Sequence, residues 1–157
     1  MANPISQVGI LIVDDDKEIC DYMETFLTTD GFFVKTITVP QEAIEEVRTG
    51  RYHLVILDLM MPRGANYTKE ETDAGRATGI PLLRDILRRT PAVPVIIITV
   101  YNEFDRHAEV QRRFGPTIKD ILVKPGRPSD LVRRLGELFQ QDSASQESNY
   151  FCAKLLH

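Results

Sequence analysis

The chain has 157 residues, which suits one ordinary domain and is too short for two comfortable ones. Hydrophobic residues make up 43% of it and charged residues 27%, a balance typical of folded globular proteins. The formal net charge of -4 disfavours nucleic acid, and neither a bilayer-crossing apolar run of roughly 20 residues nor a secretory signal is present. Two cysteines, Cys20 and Cys152, make no disulfide framework, so we expect a cytoplasmic protein that contacts neither nucleic acid nor membrane.

Five short apolar runs follow one another along the chain, and each predicts a β-strand. The runs are Val8–Val13, Phe33–Ile37, Leu54–Leu57, Val95–Ile98 and Ile121–Val123. Near-continuous apolar runs of this length are typical of strands that are buried on both faces, as in a parallel sheet covered by helices. The second run is the weakest because polar residues interrupt it.

Between these runs, apolar residues recur with the helical period. The expected helices contain Ile19–Leu27, Ala43–Val47, Ile80–Leu87, Glu103–Phe114 and Leu131–Phe139. Gly31 and Gly50 are expected to close the first two helices, and Ser129 to cap the fifth. Strands that alternate with helices predict an α/β fold, a (βα)5 doubly wound parallel sheet with right-handed crossovers and helices on both faces.

Polar residues stand where four of the predicted strands end. Asp14 and Asp15 follow the first strand, Asp58 the third, Thr99 the fourth and Lys124 the fifth. The carboxyl ends of parallel strands lie along one edge of a sheet, where ligands bind in open α/β folds. We therefore expect these five side chains to converge in one pocket.

The residue types in this pocket favour a particular chemistry. Clustered carboxylates repel one another unless a cation lies among them, and Mg²⁺ prefers carboxylate and phosphate oxygens. Lys124 supplies a compact positive charge and Thr99 a hydroxyl donor. An aspartate that lies beside Mg²⁺, a lysine and a hydroxyl is equipped to act as the nucleophile of a phosphoryl transfer.

Each of these residues also has an ordinary structural interpretation. Asp14–Asp16 are well placed to cap the first helix, Lys124 has the features of an exposed loop lysine, and Thr99 is a common residue at the end of a strand. Their joint placement at four strand ends is what favours the phospho-acceptor interpretation.

Four segments carry a resemblance to a known family. They are Ile10–Asp16 (ILIVDDD), Leu54–Pro62 (LVILDLMMP), Pro94–Thr99 (PVIIIT) and Ile121–Pro125 (ILVKP). In this order they resemble the receiver domain of two-component response regulators, of the kind found in chemotaxis regulators. The resemblance runs from about Val8 to Phe139, and it implies the flavodoxin-like strand order 2-1-3-4-5 and a receiver domain over residues 1–139.

The resemblance implies that Asp58 takes a phosphoryl group from a sensor histidine kinase or a phosphotransfer protein of a phosphorelay. Lys124 would contact that group, and Thr99 would switch toward it. The switch would alter the binding of a downstream protein, so the chain would be a signalling receiver that catalyses only its own phosphorylation and dephosphorylation. A homodimer is left open by the same resemblance.

The resemblance also implies a metal site with Mg²⁺ as the cofactor. Asp15 and Asp58 would bind the ion directly, Asp14 would act through water or the second shell, and the backbone carbonyl of Met60 would be a further ligand. The peptide bond between Lys124 and Pro125 would be cis, a form that is accessible mainly before proline.

Two features here, a long loop and Ile121, depart from the family pattern. Pro62 and Gly79 are separated by residues 63–78, which predict a long surface loop beside the pocket. This loop either covers the pocket edge or contacts a specific partner, or it is a mobile insertion without a role. Ile121 takes a position that is often aromatic in the family. Residues 140–157 are polar and serine-rich at first and predict a flexible tail.

Three other functions compete with the phospho-acceptor interpretation. Phosphatases of the haloacid-dehalogenase type need a second aspartate two positions after the nucleophile, where this chain has Met60. A nucleotide-binding domain needs a glycine-rich loop after its first strand, where this chain has three aspartates. A phosphorylation-independent docking module on the receiver fold stays open because of Ile121 and the long loop.

Overall fold

The structure is a computed structural model that describes residues 8–62, 64, 66–74, 77–100, 104–124, 127, 129 and 133. The predicted fifth helix, apart from Ser129 and Arg133, lies outside these described residues, and so do the tail 140–157 and Pro125 of the predicted cis bond. Within the described part of the chain, no helix combines the length and the apolar character that crossing a membrane requires.

The strands form one sheet in which every pairing is parallel. They are β1 (Gly9–Val13), β2 (Phe33–Ile37), β3 (Leu54–Asp58), β4 (Val95–Thr99) and β5 (Ile118–Val123). The strand order is β2-β1-β3-β4-β5. This arrangement confirms both the predicted fold class and the predicted order 2-1-3-4-5.

The helices occupy the predicted intervals between the strands. They are α1 (Lys17–Thr29), α2 (Pro40–Val47), α3 (Gly79–Arg89) and α4 (Phe104–Phe114), and a short 3-10 helix, Gly115–Thr117, precedes β5. Gly31 and Gly50 follow α1 and α2 with positive φ values of 95° and 69°, a conformation that favours glycine. The predicted helix stops are therefore confirmed.

The core lies on both faces of the sheet because alternate strand residues point to opposite sides. On β1, Ile10 and Ile12 pack toward α1, whereas Leu11 and Val13 pack toward α2, α3 and α4. All residues of β1, β3 and β4 are buried. Burial of each large aliphatic side chain contributes about 1.5–3 kcal/mol, so the inner strands hold the sheet in place.

The two edge strands differ from the inner strands because they carry charged residues. β2 contains the exposed Lys35, and β5 contains Lys119 and Asp120. A register shift opposite Val95 and Ile96 leaves Lys119 without a facing residue on β4. These polar residues explain why the sequence pattern placed the start of β5 three residues late, at Ile121.

Residues 63–78, here called the insertion, contain both exposed and buried side chains among those that the structure describes. The described residues of the insertion that are buried are Gly64, Tyr67, Thr72, Ala77 and Thr78. Tyr67 joins the core on the side of α2 and α3, and its hydroxyl donates to Asp85 Oδ2 of α3 at 3.0 Å. The insertion is thus a loop whose described residues are mostly exposed but which contacts the core through Tyr67.

Candidate functional site

Asp14, Asp15, Asp58 and Lys124, four of the five residues that were predicted to converge, meet at the carboxyl edge of the sheet. The fifth, Thr99, is buried at the end of β4 and contacts Lys124 through its backbone carbonyl. Asp14 directly follows β1, Asp58 is the last residue of β3, and Lys124 directly follows β5. Asp14 and Asp58 are 0% and 1% exposed, whereas Asp15 is exposed. Buried carboxylates are rare unless they are paired, so Asp14 and Asp58 require partners at this edge of the sheet.

The three consecutive aspartates after β1 have different structural roles. Asp16 caps α1, because its side chain accepts from the amides of Glu18 at 3.0 Å and Ile19 at 3.3 Å. Asp14 is held inward by two bonds: its amide donates to the Ile37 carbonyl at 3.0 Å, and its Oδ1 accepts from the Asp16 amide at 2.9 Å. The helix cap thus leaves Asp14 and Asp15 free for the site.

Asp58 is fixed by bonds to each of its carboxylate oxygens. Oδ1 accepts from the amide of Met60 at 2.9 Å, and Oδ2 accepts from Lys124 Nζ at 2.8 Å. Charge-assisted hydrogen bonds of this length are the stronger kind, so the orientation of this carboxylate is well determined. The role of the Met60 carbonyl as a metal ligand stays a prediction.

Lys124 bridges the two buried carboxylates. Its Nζ lies 2.8 Å from Asp14 Oδ2 as well as 2.8 Å from Asp58 Oδ2, and its side chain is 4% exposed. Its backbone amide donates to the Thr99 carbonyl at 2.7 Å, which joins the ends of β4 and β5. Burial opposes the ammonium charge, but Asp58 and Asp14 outweigh it and raise the pKa of Lys124 above its usual range.

The carboxylates of the site are electrostatically strained. Burial, and next the charge of Asp58, raises the pKa of Asp14 to about 6. The same two causes raise the pKa of Asp15. A single lysine therefore does not neutralise the cluster, and the residual repulsion favours a further cation.

The donor set fits Mg²⁺. One carboxylate oxygen each from Asp14, Asp15 and Asp58 lie within 4.8 Å of one another. Asp14 Oδ2 is buried, contacts Lys124 as an ion pair, and has no well-directed hydrogen bond. A hard divalent cation with oxygen ligands would satisfy this atom and the surplus charge.

Two residues support the site without having been predicted to do so. Cys20 of α1 is buried, and its Sγ donates to the carbonyl of Asp14 at 3.4 Å. A Cβ on Gly79 would lie 2.3 Å from the Asp58 carbonyl oxygen, so the start of α3 packs directly on the acceptor's backbone. The sequence signal for Cys20 was its place on the apolar stripe of α1 with Met23 and Leu27.

The strand order and the acidic pocket at the carboxyl ends of β1 and β3 define a flavodoxin-like α/β domain with a candidate metal site. The family model described as "Response regulator receiver domain" matches residues 10–136. The chain belongs to that family and is a receiver domain of the two-component type, as the sequence motifs predicted.

Relatives and solved structures agree with this assignment. The chain is 30% identical over 149 residues to the transcriptional regulatory protein CpxR homolog of Haemophilus influenzae, covering 94% of this chain and 56% of that protein. Its fold is similar to that of a CheY-like receiver domain protein from Methanospirillum hungatei, with a TM-score of 0.64 and 22% identity over 85% of this chain and 94% of that one.

A second similar fold is that of the response regulator TrrA from Thermotoga maritima, solved in complex with Mg(2+)-BeF. Its TM-score is 0.60 and its identity 23%, over 83% of this chain and 98% of that one. At these identities the two solved structures show a likeness of fold alone. The chain spans about half the length of the curated relatives it matches.

Proposed function

We propose that Asp58 accepts a phosphoryl group in a Mg²⁺-dependent reaction and that the change alters binding to another protein. The observation that carries this proposal is the position of Lys124 Nζ, 2.8 Å from both Asp14 and Asp58 inside a three-carboxylate cluster. The single positive charge of Lys124 does not offset three carboxylates, so the site would stabilise an incoming phosphoryl group only together with a second cation. A carboxylate that lies beside both a lysine and a bound cation is what a phosphoryl acceptor requires.

In the proposed reaction a carboxylate oxygen of Asp58 attacks the phosphorus of a phosphohistidine donor. The P–N bond of the donor breaks, its imidazole regains a proton, and Asp58 becomes an acyl phosphate. The Met60 amide holds the other carboxylate oxygen in place, and Lys124 moves its ion pair to a phosphoryl oxygen. The Thr99 hydroxyl turns toward the same group.

Asp14, Asp15, Asp58 and the Met60 carbonyl are the proposed holders of Mg²⁺. The ion would neutralise negative charge on the transferring phosphoryl oxygens. Receiver domains bind Mg²⁺ at an acidic pocket, and the solved complex of TrrA with Mg(2+)-BeF supports the same use of this pocket. The Asp14 carboxylate completes the site by holding Lys124 between the strands.

The proposed partners follow from the family. Receiver domains interact with histidine kinases or phosphotransfer proteins upstream and with effectors downstream. For this chain we propose a sensor histidine kinase or phosphotransfer protein as the donor. A downstream protein is the proposed output.

The proposal is tested by incubation with Mg²⁺ and acetyl phosphate followed by measurement of the intact mass. One added phosphoryl group is expected in the wild type and in Asp120→Asn, a variant on the edge strand β5 away from the pocket. No addition is expected in Asp58→Asn or when EDTA removes Mg²⁺. If no adduct forms and beryllofluoride also fails to bind, the phosphorylation-independent docking module is the function that remains.

A further inference from the structure

We infer that the insertion is a clamp that positions the backbone after Asp58, and that Tyr67 and Asp85 form its latch. The backbone in question is the loop of residues 59–62, which connects Asp58 to the insertion. This role rests on the proposed function of Asp58, because the loop carries the Met60 amide that orients the Asp58 carboxylate.

The base of the insertion is tied to this loop on its returning side. The Gly79 amide donates to the Leu59 carbonyl at 3.1 Å, and the Thr78 amide donates to the Met61 carbonyl at 3.4 Å. Leu59 and Met61 are 1% and 0% exposed, so their side chains are locked in the core. Met60 lies between these two tied residues, so the bonds on both sides restrict the position of its amide.

The body of the insertion has its own hydrogen-bonded structure. Thr68 and Glu71 form a reciprocal capping box: the Thr68 amide donates to Glu71 Oε2 at 3.0 Å, and the Glu71 amide donates to Thr68 Oγ1 at 3.2 Å. The Ala74 amide donates to the Lys69 carbonyl at 2.8 Å. The Ala77 amide donates to the Thr72 carbonyl at 2.8 Å, which connects residues 68–74 to the base of the insertion at Thr78 and Gly79.

The far side of the insertion is fastened to the helices. The Tyr67 side chain is only 7% exposed, and its hydroxyl donates to Asp85 Oδ2 at 3.0 Å. Arg84 holds Asp85 from the other side, with Nε 2.9 Å from Asp85 Oδ1, and its guanidinium lies 3.3 Å from Glu71. Asp85 is thus the point where α3 and the insertion are joined.

Near its start, the insertion also lies against α2. A Cβ on Gly64 would lie 2.7 Å from the side-chain amide of Gln41, so the two elements are in close contact there. The insertion therefore spans α2, the end of β3 and α3. Tyr67 acts on Asp58 only through this frame and is a positioning residue.

The test compares variants of the latch with a matched variant elsewhere. Tyr67→Phe and Asp85→Ala remove the hydroxyl–carboxylate bond, whereas Asp85→Asn keeps an acceptor. The control is Tyr52→Phe, which removes a similar bond to Glu46 at the opposite end of β3. The readouts are amide hydrogen exchange and the Mg²⁺ concentration that gives half-maximal phosphorylation.

The latch variants are expected to speed exchange of the Met60, Thr78 and Gly79 amides about fivefold to tenfold, with the β1 amides much less affected. The half-maximal Mg²⁺ concentration should rise about threefold, with the final yield of adduct unchanged. Asp85→Asn should retain most of the protection, and Tyr52→Phe should leave the three amides unaltered.

Uniform acceleration of all amides in Tyr67→Phe, or protection of Met60 that does not change, would overturn the clamp. Because exchange is measured without phosphorylation, it decides the clamp even if the wild type forms no adduct. Absence of the adduct in the wild type would count against the proposed function alone.

Discussion

Lys124 offsets the negative charge of two buried carboxylates, which would destabilise the domain without it. Its ammonium lies between two carboxylates that burial would otherwise disfavour. Breaking a buried ion pair by removing one partner costs more than the pair contributes, because an unpaired charge is left behind. The stability of the domain should therefore be more sensitive to Lys124 than to any exposed lysine.

Replacement of Lys124 with Gln is expected to lower the free energy of unfolding by about 3 kcal/mol in Mg²⁺-free buffer at pH 8. Addition of Asp58→Asn to this variant should restore part of the loss, because one unpaired carboxylate is removed. Urea denaturation measures both changes, and Lys17→Gln, at an exposed ion pair with Asp21, should leave the stability nearly unaltered. A double variant that is no more stable than Lys124→Gln would contradict this account.

At the scale of secondary-structure elements, the join between α3 and the insertion has a pH dependence of its own. Burial opposes ionisation of Asp85, but the hydrogen bonds from Arg84 and Tyr67 outweigh it and hold the pKa of Asp85 below its usual range. The folded state therefore binds fewer protons than the unfolded chain. The stabilisation is present above about pH 4 and is lost as the pH falls below it.

Asp85→Asn should make the acid limb of the stability curve shallower. Between pH 6 and pH 3 the variant is expected to lose about 1 kcal/mol less free energy of unfolding than the wild type. Denaturant unfolding at a series of pH values measures this difference. Parallel curves for the two proteins would show that Asp85 is not selectively stabilised in its ionised form.

The regular elements could be predicted from the sequence because their signals are local. The apolar runs predicted all five strands, and Gly31 and Gly50 predicted where α1 and α2 end. The start of β5 was missed because an edge strand accepts Lys119 and Asp120, which break the apolar pattern. In the sequence, charged residues in an edge strand give the same pattern as charged residues in a loop.

The contacts between the insertion and α3 were not predicted, for a different reason. Its polar composition indicated a surface loop, and its anchor Asp85 lies on α3, far from Tyr67 in sequence. Only the spacing of Thr68 and Glu71, which matches a capping box, signalled local structure. Packing between distant segments determines this part of the fold, and a single sequence does not display it.

At the scale of the whole molecule, the site was more predictable than its surroundings. The fold brings the ends of β1, β3 and β5 to one edge, so Asp14, Asp58 and Lys124 meet as a consequence of topology. The sequence left open which of Asp14, Asp15 and Asp16 caps α1. The structure assigns the cap to Asp16, because its side chain accepts from the amides of Glu18 and Ile19.

Mg²⁺ should stabilise the entire domain, because a ligand that binds only the folded state shifts the folding equilibrium. At a free concentration 100 times its dissociation constant, the expected gain is about 2.7 kcal/mol. Thermal unfolding with increasing MgCl₂ measures it, and Asp15→Ala should abolish most of the gain. An equal rise in Tm with NaCl at matched ionic strength would show screening instead of a bound ion.

The charged edge strands affect the tendency of the protein to aggregate. The runs ILIV of β1 and VIIIT of β4 are of the kind that stack into cross-β fibrils when exposed. Among the strands that the structure describes, β1 and β4 are interior, and the edges of the sheet are β2, with Lys35, and β5, with Lys119 and Asp120. Charges at sheet edges oppose pairing with a neighbouring chain. The charged residues of β2 and β5 thus protect the aggregation-prone strands β1 and β4 from pairing with another chain.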